Sequence, residues 1–453
     1  MLDKTKQARQ RASTVAWDRF RRSEICVLFL TSLWTAVVLQ VYLPVVLLLP
    51  MALVPGVGIS WFRLVSGAYE THWGRHSCLA IPISWCHTTF RINDFEYLMK
   101  FKAKGNALLL SSHCSRVDWL LTTYMGMVGD TQARVGFVFE ATAAFMPIVG
   151  WSRALLGDIL LQRAFLKDRP QITSNIESFH DSGATRLLLL APEGTIADPG
   201  LDDDYVKNCS DFMLREGKQP MTHLLTPRYK GMTVLVAHSP ENVASTAMSF
   251  VRGSKINSKT GAVEGGVLYS TSLAGNRRVI PDLHSIFEGG LQVFIMIHEL
   301  KIECYQKDAQ PNEKTAKKIR AQLIEDQEIK DGWMRGFEKN RKFDCIGQGS
   351  DWKAFPRLHL RMNGTLLAHT WLTCVFVAWL TGCSRVAVIK AMGWVVLGVF
   401  VLHGSTHKIG RWSSDGVSRE SLVGETAVKA FLSAFYNRSM NQGGKEDAAK
   451  KNK

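Results

Sequence analysis

The chain has few of the features that tie a protein to disulfide, metal or nucleic-acid chemistry. Its nine cysteines are odd in number and dispersed, and no two form a Cys-x-x-Cys pair. That argues against a disulfide framework and for a reducing compartment. There is no zinc-finger spacing, no RNP-like aromatic strand and no visible metal-ligand cluster, and the basic residues are scattered. A net charge of +15 and a pI of about 9.4 would suit any polyanion, but without such motifs nucleic acid is the poorer match. They suit an anionic membrane surface or a phosphorylated substrate better. No covalent nucleophile stands out. Cys114 has only Arg116 nearby to lower its pKa. Residues 1–22 are polar and basic and lack the small-residue cleavage site of a secretory signal. Charge itself is essentially missing from Ile25 to Phe62.

What the sequence does contain is two apolar runs, each ending in a polar turn. Ala107 to Leu110 is short and purely apolar, and Ser111 and Ser112 end it. Such a run reads as a strand buried on both faces, the mark of a parallel sheet covered by helices. From Arg116 on, Val117, Leu120, Leu121 and Tyr124 recur at helical spacing. His113 and Asp118 thus fall on a strand-to-helix connection beyond the carboxyl end of a strand, where open α/β sheets place their ligands. A histidine titrates near neutrality and can take a proton from a hydroxyl; a neighbouring carboxylate fixes its tautomer and stabilises the imidazolium. Eighty positions on, from 113 to 193, the design repeats. Leu187 to Leu190 leads into Pro192-Glu193-Gly194-Thr195. Alone, that tetrapeptide reads as a surface turn. Together, the two motifs would bring His113 and Glu193 to one edge of one sheet.

Four segments then line up in order: His113-Cys-Ser-Arg-Val-Asp118, Gly157-Asp-Ile-Leu-Leu-Gln-Arg163, Pro192-Glu-Gly-Thr195 and Leu225-Thr-Pro-Arg-Tyr-Lys-Gly231. This set resembles the glycerolipid acyltransferases that acylate lysophosphatidic acid and related lysophospholipids. The last segment is similar to one in the branch containing lysocardiolipin acyltransferase. The resemblance covers about residues 25 to 300. It implies that His113 is a general base oriented by Asp118, and that the acceptor hydroxyl attacks the acyl-CoA thioester directly. It implies an acceptor head-group site shaped by Arg163, Pro192, Glu193, Gly194, Thr195, Arg228 and Lys230. Read from chemistry alone, Arg228 and Lys230 flank a turn and offer the donors a phosphate needs, or form an ordinary basic loop. The implied partners are acyl-CoA as co-substrate, a lysophospholipid and the bilayer, with no metal, no further cofactor and no nucleic acid. The expected acceptor is 1-acyl-sn-glycerol 3-phosphate, giving phosphatidic acid. The alternatives are remodelling of another lysophospholipid (lysocardiolipin or lysophosphatidylinositol) and non-catalytic lipid binding. Three positions depart from the pattern: Ser112 for an Asn, Ala191 for a Phe and Ile196 for an Arg. The last leaves open which basic residue meets the acceptor phosphate.

The expected fold is α/β, with a mainly parallel or mixed sheet covered by helices, a membrane-embedded N-terminal segment and a C-terminal transmembrane hairpin. Residues 1–24 form a basic start. Residues 25–62 exceed the ~20 residues that span a bilayer, but Pro44, Pro50, Pro55 and Gly58 interrupt them. A hairpin or re-entrant segment is favoured there, because it returns the site to the cytosol, where acyl-CoA resides. Residues 63–310 make the acyltransferase domain, with strands at Val135–Phe139, Ile159–Leu161 and Leu187–Leu190. A helix begins at Asp168-Arg-Pro170, with Asp as its cap. Residues 311–364 form a charged helical arm. Residues 365–402 form the hairpin, and 403–453 a polar tail. Lys450-Lys451-Asn452-Lys453 resembles the dilysine signal that holds membrane proteins in the endoplasmic reticulum. His284 and His298 have no evident partner and read as structural.

Overall fold

The computed structural model describes residues 24–381 except 49, 51–57, 71–73, 104–106, 129–133, 146–148, 182–185, 197–202, 239–241, 257–262, 274–278, 303–312, 342–352 and 356–358. The expected second arm of the C-terminal hairpin and the tail lie outside the described residues.

The apolar runs form the centre of a nine-stranded mixed sheet. β2 (Ala107–Ser111) is buried at every residue. β5 (Arg186–Leu190) lies parallel to it, with Leu109 opposite Leu189. Period-two alternation then sends Leu108, Leu110 and Leu188 into one core and Ala107, Leu109, Leu187 and Leu189 into the other. Two apolar faces require helices on both sides. Beyond β5 come β3 (Arg134–Glu140) and then β4 (Ile159–Leu161), all parallel. On the other flank β6 (Val243–Arg252) pairs parallel to β2, and β10 (Leu291–Glu299) pairs antiparallel to β6. β1 (Thr89–Ile92) and the two-residue β11 (Lys353–Ala354) complete that flank, and β9 (Val267–Tyr269) pairs with the end of β6. β7 (Lys255–Ile256) and β8 (Val263–Glu264) form a separate hairpin.

α1 (Glu24–Leu47) is apolar on all sides and runs through Pro44 rather than stopping at it. Among the described residues it is the one helix long and apolar enough to cross a membrane, by length and composition. Its Trp34 packs on Trp119 and Phe287, at 6.2 and 5.9 Å between ring centroids. α2 (Gly58–Tyr69) and α3 (Arg75–Leu79) follow, and α3 continues into a π-helical turn at Ala80–Trp85. Glu70, Arg75, Arg153 and Asp158 form a buried chain of ion pairs, each link 2.5 Å, alongside β3. After α4 (Phe95–Ala103), the crossovers are α5 (Asp118–Met127), α6 (Val149–Leu155) and α7 (Phe165–Asp181). α8 (Asp203–Arg215), α9 (Tyr229–His238) and the short α10 (Leu283–Phe287) come next.

The charged stretch expected to form an arm is α11 (Glu313–Asn340), a 28-residue helix. It is packed into the domain: Ile319, Leu323, Ile324, Trp333, Met334 and Phe337 are all buried. α12 (His359–Thr381) contains the first of the two C-terminal apolar runs. It is tied to the N-terminal elements by Tyr69 to His369 and by Trp85 Nε1 donating to Asn363 Oδ1 at 3.1 Å.

Candidate active site

Strands β2, β4 and β5 all point their carboxyl ends the same way, so the turns that follow them share an edge. Ser112 ends β2 by donating its N–H to Thr246 O at 3.0 Å and taking the Met248 N–H on its hydroxyl at 3.2 Å. The side chain at this departure from the family pattern therefore fastens the turn to β6. His113 follows, partly exposed, with Nδ1 3.1 Å from Asp118 Oδ2. Asp118 opens α5, where the helix dipole favours an anion. The same Oδ2 accepts the Ser115 N–H at 3.1 Å, and the Ser115 hydroxyl is anchored on Pro281 O at 3.0 Å. Burial pushes the Asp118 carboxyl above its ordinary range, and His113 pulls it back. With Nδ1–H given to the carboxylate, Nε2 is left as the basic nitrogen. Cys114 is buried, and burial raises its thiol well above the normal value, so it stays inert.

The β5 turn docks directly on this pair. Glu193, only 1 % exposed, accepts the His113 peptide N–H on Oε1 at 3.2 Å. Gln327 of α11 donates to the same oxygen at 2.6 Å. Burial raises the Glu193 carboxyl; Lys330 is the leading charge that lowers it. Gly194 has φ +67°, open to glycine at no steric cost. A Cβ there would meet Arg228 Cδ at 2.9 Å, so the arginine stem lies against the bare backbone. Arg228 is fixed by its own N–H on Pro192 O at 2.7 Å and by Nη2 on Tyr205 Oη at 3.1 Å.

Arg163 reaches the same glycine, donating from Nη2 to Gly194 O at 3.2 Å and pairing with Glu140 at 2.8 Å. Its backbone is left-handed, φ +61°. Asp168 explains how an arginine holds that conformation. Its buried carboxylate takes the N–H groups on either side, from Gln162 at 2.7 Å and Ala164 at 3.0 Å. Asp168 therefore secures a turn, while α7 itself starts earlier, at Phe165.

His113, Asp118, Arg163, Pro192, Glu193, Gly194 and Arg228 are thus joined by contact. Thr195 lies half-buried in the turn, and Lys230 is exposed on the first turn of α9. Among the described residues neither has a side-chain partner at the site. The sequence reading missed Glu140, Asp168, Tyr205 and Gln327. Gln327 had a legible signal, since it falls on the buried stripe of α11 between Leu323 and Met334. No group of three or more His, Cys, Asp or Glu among the described residues could hold a metal ion. His284 and His298 do have partners, Glu288 at 3.4 Å and Asp326 at 2.9 Å.

Comparison with known proteins finds similarity over the part of the chain that carries these turns. Residues 92–249 match the family model described as Acyltransferase, spanning the His113, Arg163 and Glu193 turns and ending within β6. Mouse 1-acyl-sn-glycerol-3-phosphate acyltransferase epsilon is 28 % identical over 136 residues, 29 % of this chain and 36 % of that protein. Mouse lysocardiolipin acyltransferase 1 is 23 % identical over 181 residues, 40 % of this chain and 46 % of the relative. Arabidopsis thaliana 1-acyl-sn-glycerol-3-phosphate acyltransferase 3 is 28 % identical over 138 residues, 30 % and 35 % of the two chains. The chain therefore spans less than half the length of these curated relatives. Residues 92–249 of the chain thus carry a domain similar to the acyltransferase family.

Proposed function

We propose that the protein moves a fatty acyl chain from acyl-CoA to the free hydroxyl of a lysophospholipid, with 1-acyl-sn-glycerol 3-phosphate as the acceptor and phosphatidic acid as the product. The observation that carries this reading is the His113–Asp118 pair, 3.1 Å apart, on the same sheet edge as two guanidinium groups at Gly194. His113 Nε2 takes the acceptor proton as the oxygen attacks the thioester carbonyl. The tetrahedral intermediate then expels the CoA thiolate, and the imidazolium returns the proton to sulfur. Asp118 stabilises that imidazolium. Arg163 and Arg228 hold the acceptor phosphate, which offers them more charge than Glu140 and the Tyr205 hydroxyl do. Lys230 adds a point charge at the margin. Relatives named as acyl-glycerophosphate acyltransferases support this acceptor. The similarity to lysocardiolipin acyltransferase supports a second acceptor class, another lysophospholipid such as lysocardiolipin.

α1 and α12 would seat the domain on the endoplasmic reticulum membrane, with the site facing the cytosol. The test is acyl transfer by the purified protein, with and without a lysophospholipid acceptor. Replacing His113 with alanine should cost about a hundred- to ten-thousand-fold in rate. Retention of half the wild-type rate, or equal thioester cleavage without acceptor, would overturn the reading.

A further inference from the structure

Packed against the turn that carries Glu193 is a set of buried charges that the mechanism above does not use. Lys330 of α11 is wholly buried, with its ammonium 3.1 Å from Asp326 Oδ2 one helical turn earlier. The approach is an ion pair without the alignment of a hydrogen bond. Asp326 also takes the Ser245 hydroxyl of β6 at 2.8 Å and faces His298 Nε2 of β10 at 2.9 Å. Gln327, the next residue on α11, donates its amide to Glu193 Oε1 at 2.6 Å and to Leu225 O at 3.2 Å. That carboxylate oxygen is the one that accepts the His113 peptide N–H.

A carboxylate this deep keeps its charge only where cations and donors replace the lost water. The groups facing it can be counted. Glu193 and Asp326 are the anions; Lys330 and, when protonated, His298 are the cations on the α11 side. His113 and the buried Cys114 thiol face Glu193 from the other side, with Asp118 behind them. Burial raises the Glu193 carboxyl, and of these groups Lys330 does most to lower it. A protonated Glu193 would be a weaker acceptor, and the His113 N–H and the Gln327 amide would compete for it.

We propose that Gln327 and Lys330 are positioning residues of the transfer reaction, keeping Glu193 as the fixed acceptor for the His113 peptide N–H and so holding the imidazole on Asp118. The proposal rests on the acyl-transfer reading. Gln327 lies 134 positions from Glu193, and both it and Lys330 fall well beyond the segment that matches the family.

The experiment uses the full-length chain in vesicles, with lysophosphatidic acid and acyl-CoA as probes. It compares wild type, His113→Ala, Gln327→Leu, Lys330→Met, Glu193→Gln and the Glu193→Gln/Lys330→Met double variant across pH. Gln327→Leu and Lys330→Met should each lower kcat on the order of a hundredfold, the cost of a small misplacement of a reacting group, with KM for acyl-CoA unchanged. Lys330→Met should also move the acid limb of kcat to higher pH by about one unit, because the leading charge that lowers the Glu193 carboxyl has gone. Hydrogen exchange at the His113 amide should quicken in both. In the Glu193→Gln background, losing Lys330 should cost nothing more. Additive losses with an unmoved acid limb would make Lys330 merely structural and overturn the proposal. So would wild-type kcat and wild-type His113 exchange in Gln327→Leu, which removes an amide without touching charge and decides the matter even where Lys330→Met fails to fold. An active His113→Ala would instead sink the acyl-transfer reading, while amide exchange would still decide whether α11 holds the His113 turn.

Discussion

Asp118 and Glu193 are carboxylates that the fold keeps away from water, and burial raises both. An acid whose folded pKa lies above its unfolded one binds protons more readily when folded. The stability this lends is fully present below the ordinary carboxylate range and is lost as pH rises through the folded value. At neutral pH each ionised group therefore works against folding, and its retention has to be explained by what it does. Asp118→Asn and Glu193→Gln should accordingly lower transfer sharply, leaving a measurable residual rate, while melting at or above the wild-type temperature at pH 7. That advantage should shrink on acidification. Thermal unfolding at two pH values, beside an activity assay, checks this; a melting temperature several degrees lower at pH 7 would mark either carboxylate as a structural group. The sequence made the first of the pair legible, because a spacing of five positions from His113 to Asp118 suffices for a loop meeting a helix start. It could not show that the Glu193 side chain turns inward onto the His113 backbone, since an acid in a Pro-Gly turn is ordinarily solvated.

At the scale of elements, what could be read was what is local. β2 and β5 announce themselves as apolar runs cut short by polar turns, and each strand extends only one residue past its expected run. β6 sits at the middle of the sheet yet gives no such signal, because Ser245, Thr246 and Ser249 interrupt it. Those positions are buried, and the Ser245 hydroxyl is satisfied by Asp326, 81 residues away. α11 misleads for the same reason: Asp326, Lys330 and Asp331 look like a solvated face until their partners are known. Asp331 in fact accepts the N–H groups of Thr222, His223 and Leu224. Asp168 is a smaller instance, a residue expected to cap a helix that instead braces the Arg163 turn. Without that brace the left-handed arginine, a conformation that costs about 1–2 kcal/mol, would relax and withdraw from Gly194. Asp168→Ala should therefore raise the apparent KM for the lysophospholipid by about tenfold, near the lower range for one charge-assisted hydrogen bond. The KM for acyl-CoA should stay put. A matching rise for both substrates would move Arg163 away from the acceptor.

The whole molecule is larger than its recognisable domain. The family match ends at residue 249, but β10, α11 and β11 complete the sheet and its cover. α11 alone buries Ile319, Leu323, Ile324, Trp333, Met334 and Phe337. At about 1.5–3 kcal/mol for each such side chain, their burial rivals the roughly 5–15 kcal/mol by which a domain is stable at all. A chain cut at residue 310, where the sequence suggests a boundary, should fail to give a protease-resistant domain; recovery of an active, resistant fragment would show that α11 is dispensable. The strand order carries one more consequence. β2 and β3 follow one another along the chain but never touch, because β5 lies between them. As the polypeptide leaves the ribosome, β2 emerges about 80 residues before its neighbour Leu187–Leu190 exists. Until β5 slots in, two apolar edges of the nascent sheet stand open beside each other and invite a non-native β2–β3 ladder, so insertion of this one strand is the step at which folding and misfolding part.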